Sequence, residues 1–494
     1  MRDRMRRCRA AVPLAVLLAV LLPMETRAAA QPSPDGVVVA VPGEGSVMDL
    51  DACLQAALQA NDLVVAERWG RRELDGQMKQ ALATGLPTLD LVGDWSRSRD
   101  PSFALDSTFG GGGSFGSVPG ADPWFNDWLS GFGSLIPPPQ EIAAQSYWRA
   151  NLNLNWTLNP VKVLGAVGAA RLGLDRQELA VLAVEQQVGE QVVAAYQQVV
   201  SAADRIDAMQ AHLANQDEIL SVVRLRYSLG LATQLDTLQA AVGRANTIPD
   251  LTRAQANLRT AGARLNALLG REAGAPLKVL PQSELEGGDI DVAAALALAR
   301  GRPDLAANGM MVDIQRRGKQ ATKADNLPYL TIFGSYGYVG RTTDTLFDDG
   351  HDTWRAAVAL NVPVFDGLLT RGLVREADGR IRRSEAELSS QRRGVEVEVL
   401  DVLARLDSAR QTLAAVTVNL ERAGEAREQS VLQLQLGKAS YVDVLVAEAN
   451  RSDAQASVID ARYEVLALTA SLKRAIGRSP AERLADIPDL LVKE

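Results

Sequence analysis

Few side chains in this sequence could do chemistry. Its 494 residues hold two His and two Cys, and neither His212 nor His351 belongs to the clustered Cys/His set that a structural or catalytic zinc needs. Gly112-Gly113-Ser114-Phe115-Gly116 matches the G-x-S-x-G nucleophile pattern. It lies in a glycine run with neither the strand before nor the helix after that would strain the serine into an elbow. No Gly-Lys-Ser/Thr phosphate-binding loop occurs. What remains is a pair of acids, Asp236 and Asp443, each three residues after a hydroxyl, in Thr233-x-x-Asp236 and Ser440-x-x-Asp443. That spacing is a capping box, in which hydroxyl and carboxylate each take a backbone N–H at a helix start. No catalytic residue, cofactor site or metal site emerges.

Charge narrows the partners. With 60 acidic against 52 basic residues the formal charge is −8, and such a chain lacks the cations that neutralise a phosphate backbone, which argues against nucleic acid. Residues 1–9 are basic, 10–22 apolar, and the stretch ends in Ala28-Ala29-Ala30. This reads as a signal peptide over 1–30, with the expected cleavage after Ala28 or Ala30, and its net charge of +4 leaves the mature chain near −12. Cys8 precedes the apolar stretch, so a lipid anchor is not expected, and Cys53 is left without a disulfide partner. No later segment has the roughly 18 to 20 consecutive apolar residues of a membrane-spanning helix, which leaves a β-barrel open.

The elements that position the two acids form a tandem repeat. Leu229 to Ala240 and Leu436 to Ala447 share the pattern Leu-Gly-x-Ala-Thr/Ser-x-x-Asp-x-Leu at an offset of 207, and Leu269-Gly270-Arg271 pairs with Ile476-Gly477-Arg478 at the same offset. Tyr147-Trp148-Arg149-Ala150 pairs with Thr353-Trp354-Arg355-Ala356 at 206, while Leu86-Pro87 and Leu327-Pro328 are 241 apart. The first repeat therefore holds about 36 extra residues, in a Gly- and aromatic-rich loop over 98–146. The expected order is an N-terminal extension 31–46, a first repeat 47–290, a second 291–478 and a C-terminal segment 479–494. Each repeat reads as a helix of about 35 residues (47–84, 291–326), two strands, a very long helix, a Gly-containing turn and a return helix. No Pro interrupts 161–248 or 364–479, and about 65 helical residues span on the order of 100 Å. Such a helix must bury its stripe along other helices, as a coiled-coil-like hairpin. Pro249 predicts a kink in the first return helix.

The strands alternate. Trp148, Ala150, Leu152, Leu154 and Trp156 share one face and Arg149, Asn151, Asn153 and Asn155 the other; Trp354, Ala356, Val358 and Leu360 repeat this opposite Arg355 and Asn361. Half-buried strands of a soluble sheet alternate too, but of the 23 aromatic residues 18 fall in 95–156 and 329–365. The eight steps from Trp148 to Trp156 cover roughly 26 Å, close to the apolar band of about 25 Å between aromatic girdles in an outer-membrane barrel. Trp148, Trp156 and Trp354 are the expected girdle, Arg149 and Arg355 the candidate pore-lining charges. Four strands cannot close a barrel, so the barrel must be shared between chains.

These features resemble the TolC-like outer-membrane efflux proteins. The resemblance rests on Val362-Pro363-Val364-Phe365-Asp366-Gly367, on Arg302-Pro303-Asp304-Leu305-Ala306-Ala307, on the paired turns and on Leu472-Lys473-Arg474-Ala475-Ile476-Gly477, and it runs from about Val47 to Arg478. It implies an α+β membrane protein: a homotrimer with a twelve-stranded β-barrel in the outer membrane of a Gram-negative bacterium, continued by an α-helical barrel through the periplasm. It also implies an equatorial belt from 271–290 and both termini, and passive conduction in partnership with a periplasmic adaptor and an inner-membrane pump. At the periplasmic tip Asp236 and Asp443 would form acidic rings as well as caps, and Gly230 and Gly437 would shape the turns near the adaptor's docking site. Besides Pro249 and the long first loop, the sequence departs from the pattern at the first junction and at the tip. Trp156-Thr157-Leu158-Asn159-Pro160 replaces the Phe-Asp-Gly junction in the first repeat, and Leu434 and Ala439 replace the Tyr and Arg that tether the closed state in the best-known relative. The same conduit could serve efflux or type I protein secretion, and a poreless periplasmic scaffold is the rival from another class.

Overall fold

The computed structural model describes residues 47–99, 117–133, 144–280, 285–488 and 490–491. The signal stretch 1–30, the extension 31–46 and the Gly112–Gly116 pattern lie outside the described residues. β1 (Val47–Met48) leads into α1 (Leu50–Ala60) and α2 (Asp62–Ala83), so the single helix expected over 47–84 is two. Asn61 breaks it. With ψ at 128° Asn61 leaves helical geometry, its side chain accepts from the Leu63 N–H, and its amide donates to the Leu268 carbonyl at 2.9 Å. The N-cap alone is worth about 1 kcal/mol, and the bond to Leu268 ties the break to the end of α5.

Then come β2 (Thr88–Ser98), α3 (Pro123–Gly133), β3 (Gln145–Leu158), α4 (Pro160–Ser228), α5 (Gln234–Leu268) and β4 (Lys278–Val279). The interval expected to be loop over 98–146 thus contains a short helix. α6 (Val292–Ala299) and α7 (Pro303–Lys323) replace the second 35-residue helix. The break falls before Pro303, which drives Arg302 to extended geometry (ψ 138°) and starts α7 at its first position. After β5 (Tyr329–Gly340) and β6 (Asp352–Asn361), α8 (Leu369–Gln435) and α9 (Tyr441–Ala475) close the order. The repeat is plain in the lengths: 69 and 35 residues in α4 and α5, 67 and 35 in α8 and α9. α5 runs helical through Pro249, so the missing N–H there does not end it.

α4 pairs with α5 and α8 with α9; α2 lies along α4, α7 bridges α4 and α8, and α9 packs on α4. Apolar burial concentrates partway along these rods. Met48, Cys53, Leu54 and Val64 meet Val188, Val192, Tyr196 and Val199 of α4, Leu265 of α5 and Tyr463 of α9. Leu305, Val399, Leu406, Leu472, Ile476 and Leu484 form a second cluster beside it. The chain after α5 straps this zone: β4 pairs in parallel with β1, and Ile290 bridges Leu491. Tyr196 donates to the Leu280 carbonyl at 2.5 Å, and buried Lys473 holds Glu286 at 2.7 Å.

The Arg302-Pro303-Asp304 motif is a joint in this zone. Arg302 is buried, pairs with Asp304 at 3.0 Å and Glu398 at 2.7 Å, and donates to the Ala475 carbonyl, tying α7 to α8 and α9. Gly477, at φ +76°, leaves room for its stem. Deleting one member of a buried ionic cluster strands the others. Arg302→Ala is expected to lower stability by about 3 kcal/mol, read as an earlier urea midpoint by far-UV circular dichroism in detergent; the exposed Arg316→Ala serves as the unaffected comparison.

Candidate functional site

The four long strands form one antiparallel sheet in the order β2-β3-β5-β6, with β2 and β6 at its edges. Directly paired residues share a face, so the register decides which side chains line up. Trp95 pairs with Trp148, Leu91 with Leu152, Leu152 with Tyr336, Tyr336 with Trp354, Trp156 with Ile332, and Ile332 with Val358. Every strand contributes to one apolar face. Leu91 is 79% exposed, Trp354 75% and Val358 69%, a contiguous apolar surface that water does not favour and hydrocarbon does. The Trp95 and Trp148 rings sit 6.0 Å apart near one end. At the other end the Trp156 indole donates to the Gly85 carbonyl at 2.9 Å.

The opposite face carries Asp90, Asp94, Arg149, Asn151, Asn153, Asn155, Ser335 and Arg355 in register. Arg149 is 3.1 Å from Asp94, which offsets its charge, and Arg355 lies over the Phe333 ring with its guanidinium 6.0 Å from the centroid. Gly337 is required where β5 meets β3, since a Cβ would collide with the Ala150 carbonyl.

Sheet passes to rod by two different junctions, as the sequences predict. Asn159 caps α4, accepting from Lys162 N–H at 3.1 Å while its amide donates to Ala324 C=O at 2.9 Å, and Pro160 opens the helix. In the second repeat Gly367 and Leu368 are left-handed (φ +68° and +72°), and Asp366 accepts from the N–H groups of Leu368 and Thr370 at 3.0 and 2.8 Å.

The far ends of the rods form the tip. Gly230 (φ +74°) and Gly437 (φ +71°) end α4 and α8 identically: Leu231 N–H reaches Arg226 C=O and Lys438 N–H reaches Gln433 C=O, both at 2.8 Å. That six-to-one bond needs a left-handed residue, which glycine adopts without strain. α5 and α9 then start with complete capping boxes. The Asp236 and Asp443 carboxylates each accept a backbone N–H at 2.8 Å, from Thr233 and Ser440. These bonds and those from the same residues' hydroxyls hold both acids below the ordinary carboxylate range. Leu434 packs into an apolar tip cluster with Leu220, Val223 and Tyr441, and its carbonyl accepts from Arg226 at 3.3 Å. Ala439 makes no such link.

The sequence reading missed the polar centre behind the tip. Glu448 of α9, 1% exposed, accepts from Asn215 at 2.9 Å and faces His212 Nδ1 at 3.4 Å, both on α4, and accepts from Arg427 of α8 at 2.9 Å. Burial raises its pKa, but these three partners outweigh that and hold it at about 2. Its contribution is therefore present above the ordinary carboxylate value and is lost only as pH falls towards 2. The available signal was a Glu on the apolar face of α9, in step with Val444, Ala447 and Ala454. Among the described residues no helix is long and apolar enough to cross a membrane, which leaves the sheet untouched by that test.

The model of the family described as "Outer membrane efflux protein" matches residues 53–271 and 295–478, more than half of the chain. The outer membrane efflux protein BepC of Brucella suis is 25% identical over 61% of this chain, and the match spans 65% of BepC's length. The alkaline protease secretion protein AprF of Pseudomonas aeruginosa is 24% identical over 57% of this chain and 60% of its own. Among solved structures, the outer membrane protein VceC of Vibrio cholerae has a TM-score of 0.69 at 20% identity, covering 87% of this chain and 96% of VceC. The fold is shared along nearly the full length.

The two sheet faces make opposite demands on a charge. Leu152→Arg, in the middle of the apolar face, is expected to cost about 2 to 4 kcal/mol, against little for Asn153→Arg next to it. Refolding yield into phospholipid vesicles, followed by heat-modifiable migration on gels, separates the two.

Proposed function

The chain belongs to the outer membrane efflux protein family, and from that premise we propose that three copies form a channel through the outer membrane of a Gram-negative bacterium. The observation that carries this reading is the four-stranded sheet with an apolar face shared by all four strands and, among the described residues, an open edge on β2 and on β6. In hydrocarbon an unpaired edge is intolerable, and twelve strands from three chains would close it while pointing the apolar face at lipid. Trp148, Trp156 and Trp354 then sit in the aromatic girdles, and Arg149, Arg355 and the Asn residues line water. No lipid anchor is assigned, and neither catalysis nor a cofactor has a role.

α4 and α8, at about 1.5 Å per residue, are each about 100 Å long, enough to carry the conduit far into the periplasm. There the tip, with Gly230 and Gly437 in its turns, would meet a periplasmic adaptor and through it an inner-membrane pump. Conduction is passive, and the closed state is set by the tip, where Asp236 and Asp443 from three chains would make acidic rings. Their capping role is compatible with this, because a carboxylate bound on one side by N–H groups keeps its charge. Small-molecule efflux is the preferred cargo class. Type I protein secretion is the second reading, favoured by the similarity to AprF, and copurification of the native adaptor and pump separates them.

Conductance of the purified trimer in planar bilayers is the direct test; no current under any condition, including after charge removal at the tip, would overturn the reading in favour of a scaffold. Asp443→Asn is expected to reduce cation preference, seen as a reversal potential moving towards zero in a salt gradient. Ser440→Ala, which removes the cap partner but keeps the charge, is expected to leave that potential in place.

A further inference from the structure

Between the main core and the tip, the first hairpin (α4, α5) is held to the second (α8, α9) by unlike contacts. The apolar core joining α4 to α9 reaches Val200 and Ile459 and goes no further. The apolar tip cluster begins at Ile219 and Leu445. In the interval lie the Arg205–Asp460 pair, which is solvent-exposed, and the buried centre at Glu448. A carboxylate in that row has lost its water and is stable only while its donors stay. Two of those donors, His212 and Asn215, belong to the other hairpin, while Arg427 belongs to its own. The second His212 nitrogen faces Gln216 at 3.5 Å, and Gln216 is itself buried. The residues that tether the tip in the best-known relative are here Leu434 and Ala439, whose own side chains cannot hydrogen-bond; at the turn itself the polar contact between the hairpins is Arg226 on the Leu434 carbonyl at 3.3 Å.

We propose that Glu448 is the latch of the closed channel: its carboxylate fastens α9 to His212 and Asn215 of α4, and separation of the hairpins at the tip requires breaking those two contacts. The inference rests on the channel reading above and adds the residue that holds the shut state. Arg427 is the standing partner, since it moves with α9 and keeps the carboxylate paired when the latch is released. Release of the two α4 contacts alone would therefore not leave the buried charge bare.

Two variants test this in the full-length trimer. Glu448→Gln keeps the size and removes the charge. His212→Ala with Asn215→Ala leaves Glu448 paired to Arg427 and removes only the grip on α4, so it folds even if Glu448→Gln does not. Each is expected to raise mean bilayer current roughly tenfold, and amide exchange in 208–222 and 440–452 by a similar factor, the scale of losing charge-assisted hydrogen bonds. Exchange around 188–200 and 463–476 should not change. His212→Gln, which keeps a donor, should stay at the parental current. Parental current and parental exchange in both variants would overturn the latch while leaving the channel intact. Faster exchange spread equally through the core would also overturn it, making Glu448 a general packing residue. Faster exchange confined to the tip with no current from any form would uphold the latch and remove the channel.

Discussion

A strand edge has a row of N–H and C=O groups that hydrocarbon cannot satisfy, and this constraint governs the molecule. The sheet has one face rich in Leu, Val, Ile, Trp and Tyr from β2 to β6 and, among the described residues, two edges with no neighbour. Immersing that face without pairing the edges would cost several kcal/mol for each unsatisfied group. Pairing the edges without immersing the face would leave large aromatics in water. Both demands are met together only if copies of the chain pair β6 to β2 around a ring, so the membrane fold of one chain is incomplete without the others.

The helices obey the same logic in a weaker form. The two larger apolar clusters lie partway along the rods, because there the N-terminal helices, the strap after α5 and the C-terminal turn wrap the rods. Beyond them each chain shows open apolar rows: Leu225, Leu231, Leu235 and Val242 near the first turn, and Val418, Leu432 and Leu436 towards the second, are all well exposed. A hollow tube of rods needs lateral neighbours for such rows, which a ring of hairpins supplies. The single set of closing interactions at the sheet edge thus repeats along the helices, with apolar area in place of backbone hydrogen bonds.

Much of this is legible in the sequence because the signals are periodic or repeated. Trp148 to Trp156 alternates with a period of two, and a one-residue slip would reverse every side chain, so the face assignment followed from the letters and the register agrees with it. The turns were legible because glycine recurs at offset 207 where the backbone must be left-handed. The helix breaks at Asn61 and before Pro303 were missed, although both residues carry local signals: a run of Ala, Leu and Gln outweighed one cap and one proline. Glu448 was invisible for a different reason. Its partners lie 21, 233 and 236 residues away, and no local pattern says that three donors converge on one carboxylate. The acids that spacing did single out, Asp236 and Asp443, are the ones whose partners are three residues away.

That contrast bears on how a gate of this kind can work. Apolar fastening weakens in proportion to the area exposed, so two hairpins held only by Leu and Val would drift apart by degrees. A hydrogen bond to a buried charge is directional and is lost over a fraction of its own length. Placing one such contact where the apolar joint runs out turns gradual separation into a step. The cost is a carboxylate that must never be without a donor, and Arg427, on the neighbouring helix of the same hairpin, supplies one that does not come from α4. The acidity of the site supports the same use. Because its donors hold Glu448 ionised down to about 2, mild acidification, which protonates ordinary carboxylates, leaves the charge of this contact in place.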